Sequence, residues 1–264
     1  MSEAHPSSAP ISPASIAPNL KHAFGGIFRL TLRRYSTAGH WLTLGASLGL
    51  LALMVGGHVS RHGSGPFFDW TISFYLMVLV PALAFLSAAG AMRDEMKTST
   101  TDYVFTRPIP RRIFVLFRFV THLGCSQLDF LLAFGVVMGI GAARNIPALT
   151  AAVPLLLLAQ LLLVTAFSAF GFLCSVLTSR YVIVGLPYGA VVEVGVGQIP
   201  TQINRIAVTQ QTRGLLHSLL ERAPEVVPLS PWAAVLFAGT FTAVMLGAAA
   251  VLFSWRELAG ENEA

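Results

Sequence analysis

The sequence predicts an all-α, polytopic membrane protein with six transmembrane helices and a further helix in the membrane interface near the N-terminus. First, 55% of the 264 residues are hydrophobic and only 11% are charged, which is too little polar surface for a soluble globular protein of this size. Second, the mean hydropathy of +0.70 comes from long apolar runs. Third, the 17 basic and 12 acidic residues cluster beside those runs. This clustering disfavours a nucleic-acid-binding surface, and no nucleic-acid partner is expected.

The first 18 residues form a segment of different composition. Residues 1–18 are rich in Pro, Ser and Ala, and they have neither a basic start nor an apolar centre. A cleaved signal peptide would need both of those features. The composition therefore predicts a disordered tail.

A helical pattern follows this tail. Over residues 19–35, apolar side chains recur on one face, and Arg29 and Arg33 lie opposite them. Such a helix would lie along the inner membrane interface with its cations among lipid headgroups. An ordinary polar lead-in to the first span is the alternative, because Gly25 and Gly26 weaken the helix.

Six apolar runs provide the predicted spans, each of which needs about 20 helical residues to cross a bilayer. The runs are 41–57, 71–92, 113–141, 148–177, 181–197 and 232–255. Gly and Pro residues interrupt the fifth run, which indicates a bent or partly re-entrant helix. Three pairs of glycines four residues apart predict close packing between spans, namely Gly45 with Gly49, Gly135 with Gly139, and Gly185 with Gly189.

The distribution of basic residues predicts the orientation. Six spans place both termini on the same side of the membrane. If that side is cytoplasmic, the inside segments hold 12 of the 17 Lys and Arg residues. The positive-inside rule therefore predicts cytoplasmic termini for a multi-pass protein of the cell membrane, which is the inner membrane if the cell is Gram-negative.

A charged segment separates the second and third spans. Residues 93–118 hold nine of the 29 charged side chains, and acidic residues are mixed with basic ones. A docking element for a cytoplasmic protein would have this character. The alternative is a basic loop that only obeys the topology rule.

Several residues of this segment carry a resemblance to a known family, namely Glu95, Thr100, Pro108, Arg111 and Arg112. Their spacing resembles the sequence between the second and third spans of type-2 permease subunits of ATP-binding cassette (ABC) transporters. In that family an acidic residue precedes a Gly-Thr pair, an apolar helix, a Ser/Thr-Arg-Pro turn and a basic restart. Thr106, Arg107 and Pro108 match the turn, whereas Ser99 stands where glycine is usual.

The resemblance implies a function for the chain. Residues 19–264 would form one permease domain of an exporter that works by alternating access, together with a second copy or a paralogue. A short cytoplasmic coupling helix would contact separate ABC ATPase subunits. The implied coupling residues are Arg93, Asp94, Glu95, Thr100, Tyr103, Phe105, Arg107, Pro108 and Arg111.

Sequence motifs for catalysis are absent from the chain. It has no phosphate-binding loop of the form G-x-x-x-x-G-K-[ST] and no G-x-S-x-G or H-E-x-x-H motif. Cys125 and Cys174 are isolated, so no metal site is expected. We therefore expect that the chain is not an enzyme, that it carries no cofactor, and that ATP and Mg²⁺ bind to the partner subunit.

Two carboxylates lie inside predicted spans, Asp129 in the third and Glu193 in the fifth. A charge at the centre of a membrane costs roughly 2.5 to 3.5 kcal/mol on insertion scales, so each residue needs a role. One interpretation places both on a translocation path, and a proton-coupled secondary carrier is then the alternative function. The structural interpretation pairs them with Gln127, Gln160, Tyr188 or a second subunit.

Overall fold

The structure, a computed structural model, describes residues 20–62, 65–96, 110–189, 193, 207–216 and 230–255. The regular secondary structure of these residues is all helical, and short turns separate the helices. The elements are α1 (Leu20–Tyr35), α2 (Ala38–His62), α3 (Gly65–Trp70), a π-helix (Thr71–Leu79), α4 (Val80–Glu95), α5 (Arg111–Ala143), α6 (Leu149–Leu177), α7 (Tyr181–Pro187), α8 (Val208–Leu215) and α9 (Pro231–Trp255).

Five helical segments among the described residues are long and apolar enough to cross a membrane. They are Ala38–His58, Pro66–Glu95, Arg111–Ala143, Leu149–Leu177 and Pro231–Trp255. Apart from Ala148, the corresponding predicted spans fall inside these helices. The all-helical class is thus confirmed for the described residues, with five candidate membrane-spanning helices.

Other predicted elements lie partly or wholly outside the described residues. The fifth predicted span, 181–197, begins as the short helix α7, and most of the remainder is not described. Six spans therefore stay a prediction. The coupling helix falls within residues 97–109, outside the described part, as does the N-terminal tail. The predicted N-terminal helix is present as α1, and its position in the membrane interface stays a prediction.

Helix α6 is the centre of the described fold, because α4, α5 and α9 all pack against it. The most extensive packing joins α6 to α4. Gly171 makes this close approach possible, since a Cβ at that position would lie only 2.6 Å from the backbone oxygen of Phe85. Helix α5 packs on α6 and also contacts α1 and α2. Helix α5 therefore connects the central helices to the N-terminal pair.

The second span contains an unusual turn geometry, because the π-helix runs directly into α4. The N–H of Val80 donates to the carbonyl of Tyr75, five residues earlier. The next residue, Pro81, has no N–H to donate and would clash with a carbonyl one turn back in a regular α-helix. Wider π-type turns before the proline relieve this conflict. Tyr75 within this segment donates from its hydroxyl to Gln160 Oε1 on α6, at 2.6 Å.

Most of the glycines expected to pack closely do not do so within the described part of the chain. A Cβ at Gly45, Gly49, Gly135, Gly139 or Gly189 would meet no atom within 4 Å. Gly185, a member of the third predicted pair, does make a close approach, as do Gly141 and Gly171, and a Cβ at these positions would collide with Phe85 or with Phe67. Spacing alone did not identify which glycines face a neighbouring helix, because small residues are common throughout membrane helices.

Candidate functional site: an ion-pair cluster at the ends of the charged loop

A buried ion pair joins the two helices that flank the charged loop. Glu95 is the last residue of α4, and Arg118 lies in the second turn of α5. Arg118 Nη2 is 2.9 Å from Glu95 Oε1, and the two residues are only 2% and 7% exposed. A buried charge without a partner is strongly unfavourable, so each side chain depends on the other. The pair therefore fixes the end of α4 against α5.

Arg34 extends this cluster to the N-terminal helix α1. Its Nη2 is 3.0 Å from Asp94 Oδ2, and its Nη1 is 3.5 Å from Glu95 Oε1. The Arg34 side chain is 46% exposed, and ion pairs in water contribute only about 0 to 1 kcal/mol. Arg34 thus orients α1 towards the end of α4 and adds little stability.

Thr31 completes the contact between α1 and α5. Its buried hydroxyl donates to the carbonyl of Ile27 at 2.9 Å and accepts a hydrogen bond from Arg118 Nη1. Thr121 Oγ1 lies 3.3 Å from the same hydroxyl. The Arg118 guanidinium therefore bonds to both α1 and α4. We call Thr31, Arg34, Asp94, Glu95 and Arg118 the loop-end cluster.

A second set of polar contacts lies next to the loop-end cluster. The hydroxyl of Tyr35 and Nδ1 of His122 are 2.9 Å apart and hydrogen-bonded. The ring of Tyr35 meets the ring of His40 at a centroid distance of 4.8 Å, and His40 Nε2 lies 3.4 Å from Asp129 Oδ1. Burial raises the pKa of Tyr35, as does the negative charge of Asp129, so its phenol is held neutral. These contacts join α1 and α2 to α5.

Glu193 acts as a cap for the short helix α8. Its carboxylate accepts hydrogen bonds from the backbone N–H groups of Val208, at 3.2 Å, and Thr209, at 3.0 Å. The hydroxyls of Thr209 and Tyr188 donate to it as well. The first N–H groups of a helix have no partner within the helix, and a carboxylate satisfies them well. Tyr188 is thus one of the partners that the structural interpretation expected.

Asp129 and Glu193 belong to different groups of contacts. Asp129 contacts His40 on α2, whereas Glu193 contacts Tyr188 and the start of α8. The two glutamines expected as partners bond elsewhere: Gln127 donates to the Leu161 carbonyl at 3.2 Å, and Gln160 donates to the Phe130 carbonyl at 2.9 Å. Among the described residues, the hydrogen-bond partners of Asp129 and Glu193 are different, so these contacts do not join the two carboxylates in a common path.

The predicted coupling residues fall into two groups. Asp94 and Glu95 belong to the loop-end cluster, while Arg93 lies in the last turn of α4 and Arg111 begins α5. The others, Thr100, Tyr103, Phe105, Arg107 and Pro108, lie outside the described residues. Because Glu95 is buried against Arg118, its carboxylate joins two of the chain's own helices, and the coupling role of these residues stays a prediction.

Arg34, Thr31 and Arg118 were not among the predicted site residues. Arg118 carried a usable signal, because it lies inside the apolar run 113–141, where a cation needs a buried partner. Glu95 was the nearest carboxylate across the loop. Thr31 gave no such signal, since threonine is common in helices that lie at an interface.

Within the described ranges, no group of three or more His, Cys, Asp or Glu side chains could hold a metal ion. Comparison with protein-family models and with curated proteins finds no match to this chain.

Proposed function

We propose that the chain is the membrane-spanning permease subunit of an ABC exporter of the ABC-2 type. The observation that carries this proposal is the position of the loop-end cluster. It locks α4 to α5 where the charged segment leaves one span and enters the next. The apolar helices on either side supply the membrane-spanning frame.

A coupling element works only if a movement of the loop displaces the membrane-spanning helices. It fails if the movement changes only the shape of the loop. The Glu95–Arg118 ion pair joins the last turn of one span to the second turn of the next. Arg34 and Thr31 connect α1 to the same point. A displacement of residues 97–109 by a cytoplasmic motor would thus move α1, α4 and α5 together. ATP binding would close the motor pair, and the moved helices would open the pathway to the other side.

The proposal defines the partners and their positions. Two ATPase subunits on the cytoplasmic side bind ATP and Mg²⁺, and this chain hydrolyses no nucleotide. A second permease copy or a paralogue completes the path within the cell membrane. Both termini are cytoplasmic, which follows the charge distribution of the sequence.

The proton-coupled carrier gains no specific support from the geometry. That hypothesis needs carboxylates that exchange protons along a path. Glu193 instead accepts hydrogen bonds from two backbone N–H groups and two hydroxyls, which is a helix-capping arrangement. We therefore favour the permease.

Purification in mild detergent from the native host tests this function. A tagged copy of the full chain should bring an ATPase subunit with it, and the ATPase activity of that complex should depend on the permease. The matched control is a copy in which residues 97–109 are replaced by a Gly/Ser segment of equal length. An intact protein that is active in transport without any ATPase would refute the proposal.

A further inference from the structure

A cavity lies beside Asp129, between α2, α5 and the continuous helix formed by the π-helix and α4. Its volume is about 580 Å³, within the range of roughly 300 to 1,000 Å³ that is usual for ligand sites. Most of its wall is aliphatic, and the main contributors are Leu44, Leu48, Leu51, Met54, Leu79 and Leu83. The cavity is therefore suited to a hydrocarbon chain.

The cavity is open on one side. Leu50 and Leu83 line it, yet they are 61% and 45% exposed. Both residues belong to helices that are long and apolar enough to span a membrane. Leucines exposed on such helices face acyl chains and not water. A molecule would thus enter from the lipid phase.

One end of the cavity is polar. Tyr35, His40, Thr43 and Asp129 line this end. The other hydroxyl groups of the lining belong to Ser47, Tyr75, Ser87 and Ser126, and the first three donate to oxygen atoms of the protein itself. Among the described residues that line the cavity, Asp129 is the one carboxylate, and there is no Lys or Arg. The fixed charge of the lining is therefore negative and is placed at one end.

The carboxylate of Asp129 retains capacity for a ligand. Its contact with His40 Nε2 is 3.4 Å long and uses one oxygen, whereas a charge-assisted hydrogen bond is about 2.7 to 2.9 Å long. A carboxylate offers roughly four acceptor positions. The Asp129 side chain is 25% exposed, so the remaining positions are accessible.

The polar and aliphatic parts are arranged along α2. From His40 to Met54 the helix advances by about 21 Å, at roughly 1.5 Å per residue. We propose that this cavity binds a membrane lipid whose headgroup carries a primary amine, with the ammonium group at Asp129 and an acyl chain along Leu44, Leu48 and Leu51. This inference goes beyond the permease function and does not depend on it, because it concerns binding by the chain alone.

Native mass spectrometry of the full chain, released from detergent micelles, provides the test. The probes are phosphatidylethanolamine, phosphatidylcholine and phosphatidylglycerol with identical acyl chains, each added separately. A primary ammonium can donate hydrogen bonds to Asp129, whereas a quaternary ammonium and a glycerol headgroup lack either the donor or the charge. We expect about tenfold tighter binding of phosphatidylethanolamine than of the other two lipids. Equal binding of all three lipids, or a preference for phosphatidylglycerol, would overturn the proposal.

Three single substitutions test whether the lipid binds in this cavity. Asp129→Asn should abolish the preference among headgroups and leave weak binding of all three lipids. Leu48→Trp should fill the cavity and remove most binding, whereas the control Leu53→Trp should not, because Leu53 is on the same helix but is 75% exposed and outside the cavity lining. An unchanged preference in Asp129→Asn, or equal effects of the two Trp substitutions, would place the lipid elsewhere. If Asp129→Asn does not fold, the headgroup preference of the unmodified chain and the two Trp variants still decide the outcome.

Discussion

Arg118 and Glu95 are 23 positions apart across the charged loop, and their side chains meet at 2.9 Å with almost no exposure. The loop between two spans thus has its ends joined by charge inside the protein. The family resemblance had assigned Glu95 to contact with a partner. Its observed position gives it a different task within the same proposed function, which is to hold together the two helices that the partner would move.

Removing one member of this pair should destabilise the protein more than removing both. Arg118→Met leaves the Glu95 carboxylate buried without its main partner and should lower the free energy of unfolding by about 3 to 5 kcal/mol. The double variant Glu95→Leu with Arg118→Met should recover most of that loss. Unfolding in mixed micelles with increasing SDS measures the difference. Arg34→Met is the control and should cost at most about 1 kcal/mol, because Arg34 is half exposed. A double variant as unstable as the single one would contradict the expectation.

The same pair should affect coupling in the assembled transporter. Glu95→Gln weakens the link between α4 and α5. It should reduce the stimulation of the partner's ATPase activity by the permease or by transport substrate, even when the variant inserts normally into the membrane. Exchanging the charges with Glu95→Arg and Arg118→Glu should restore part of the stimulation. Arg144→Gln, at the opposite end of α5, is the control and should have no effect. Full stimulation in Glu95→Gln would remove the coupling role from this pair.

The packing of α4 on α6 should be sensitive to a single methyl group. A Cβ at Gly171 would lie 2.6 Å from the Phe85 backbone oxygen and 3.1 Å from the Ala89 backbone nitrogen. Backbone atoms cannot rotate away, so Gly171→Ala should cost about 1 to 3 kcal/mol of stability. Gly139→Ala on α5, where a Cβ meets no atom within 4 Å, should be neutral or slightly stabilising. The midpoint of thermal unfolding measures both variants, and equal midpoints would argue against this packing.

Neutralising Asp129 and Glu193 together separates the two functional hypotheses. Asp129→Asn with Glu193→Gln should preserve ATP-dependent transport in the permease, although loss of the α8 cap should cost roughly 0.5 to 2 kcal/mol of stability. A proton-coupled carrier would lose transport entirely. Transport into vesicles, normalised to the amount of folded protein, gives the answer. Complete loss from a folded double variant would favour the carrier.

Much of the fold could be predicted from the sequence because membrane spans are defined by length and composition. The run 232–255, for example, differs from the observed helix Pro231–Trp255 by one residue. The run 71–92 was too short by several residues at each end. The helix of the second span continues through Trp70 at one end and Arg93 at the other. Amphipathic and charged residues there end the apolar pattern of the sequence but do not end the helix.

The site was harder to predict because its contacts join distant positions. Glu95 was singled out by its spacing, but nothing in the local sequence indicates that Arg34, 61 residues earlier, lies 3.5 Å from it. Likewise, the structural partners expected for Asp129 were Gln127, Gln160, Tyr188 or a second subunit, whereas it contacts His40, 89 positions away in the chain. Such pairs depend on how α1 and α2 pack against α5, and helical periodicity does not determine that packing.

The order of the loop-end cluster along the chain has a consequence for biosynthesis. Synthesis runs from the N-terminus, so Arg34 is made first, Glu95 follows it, and Arg118 comes last. Each charge that becomes buried is therefore made after a possible counter-ion. The first to be made, Arg34, is the one that remains half exposed to solvent in the finished protein. When the chain inserts into a membrane, Glu95 and Arg118 would thus each have a residue of opposite charge that is already synthesised.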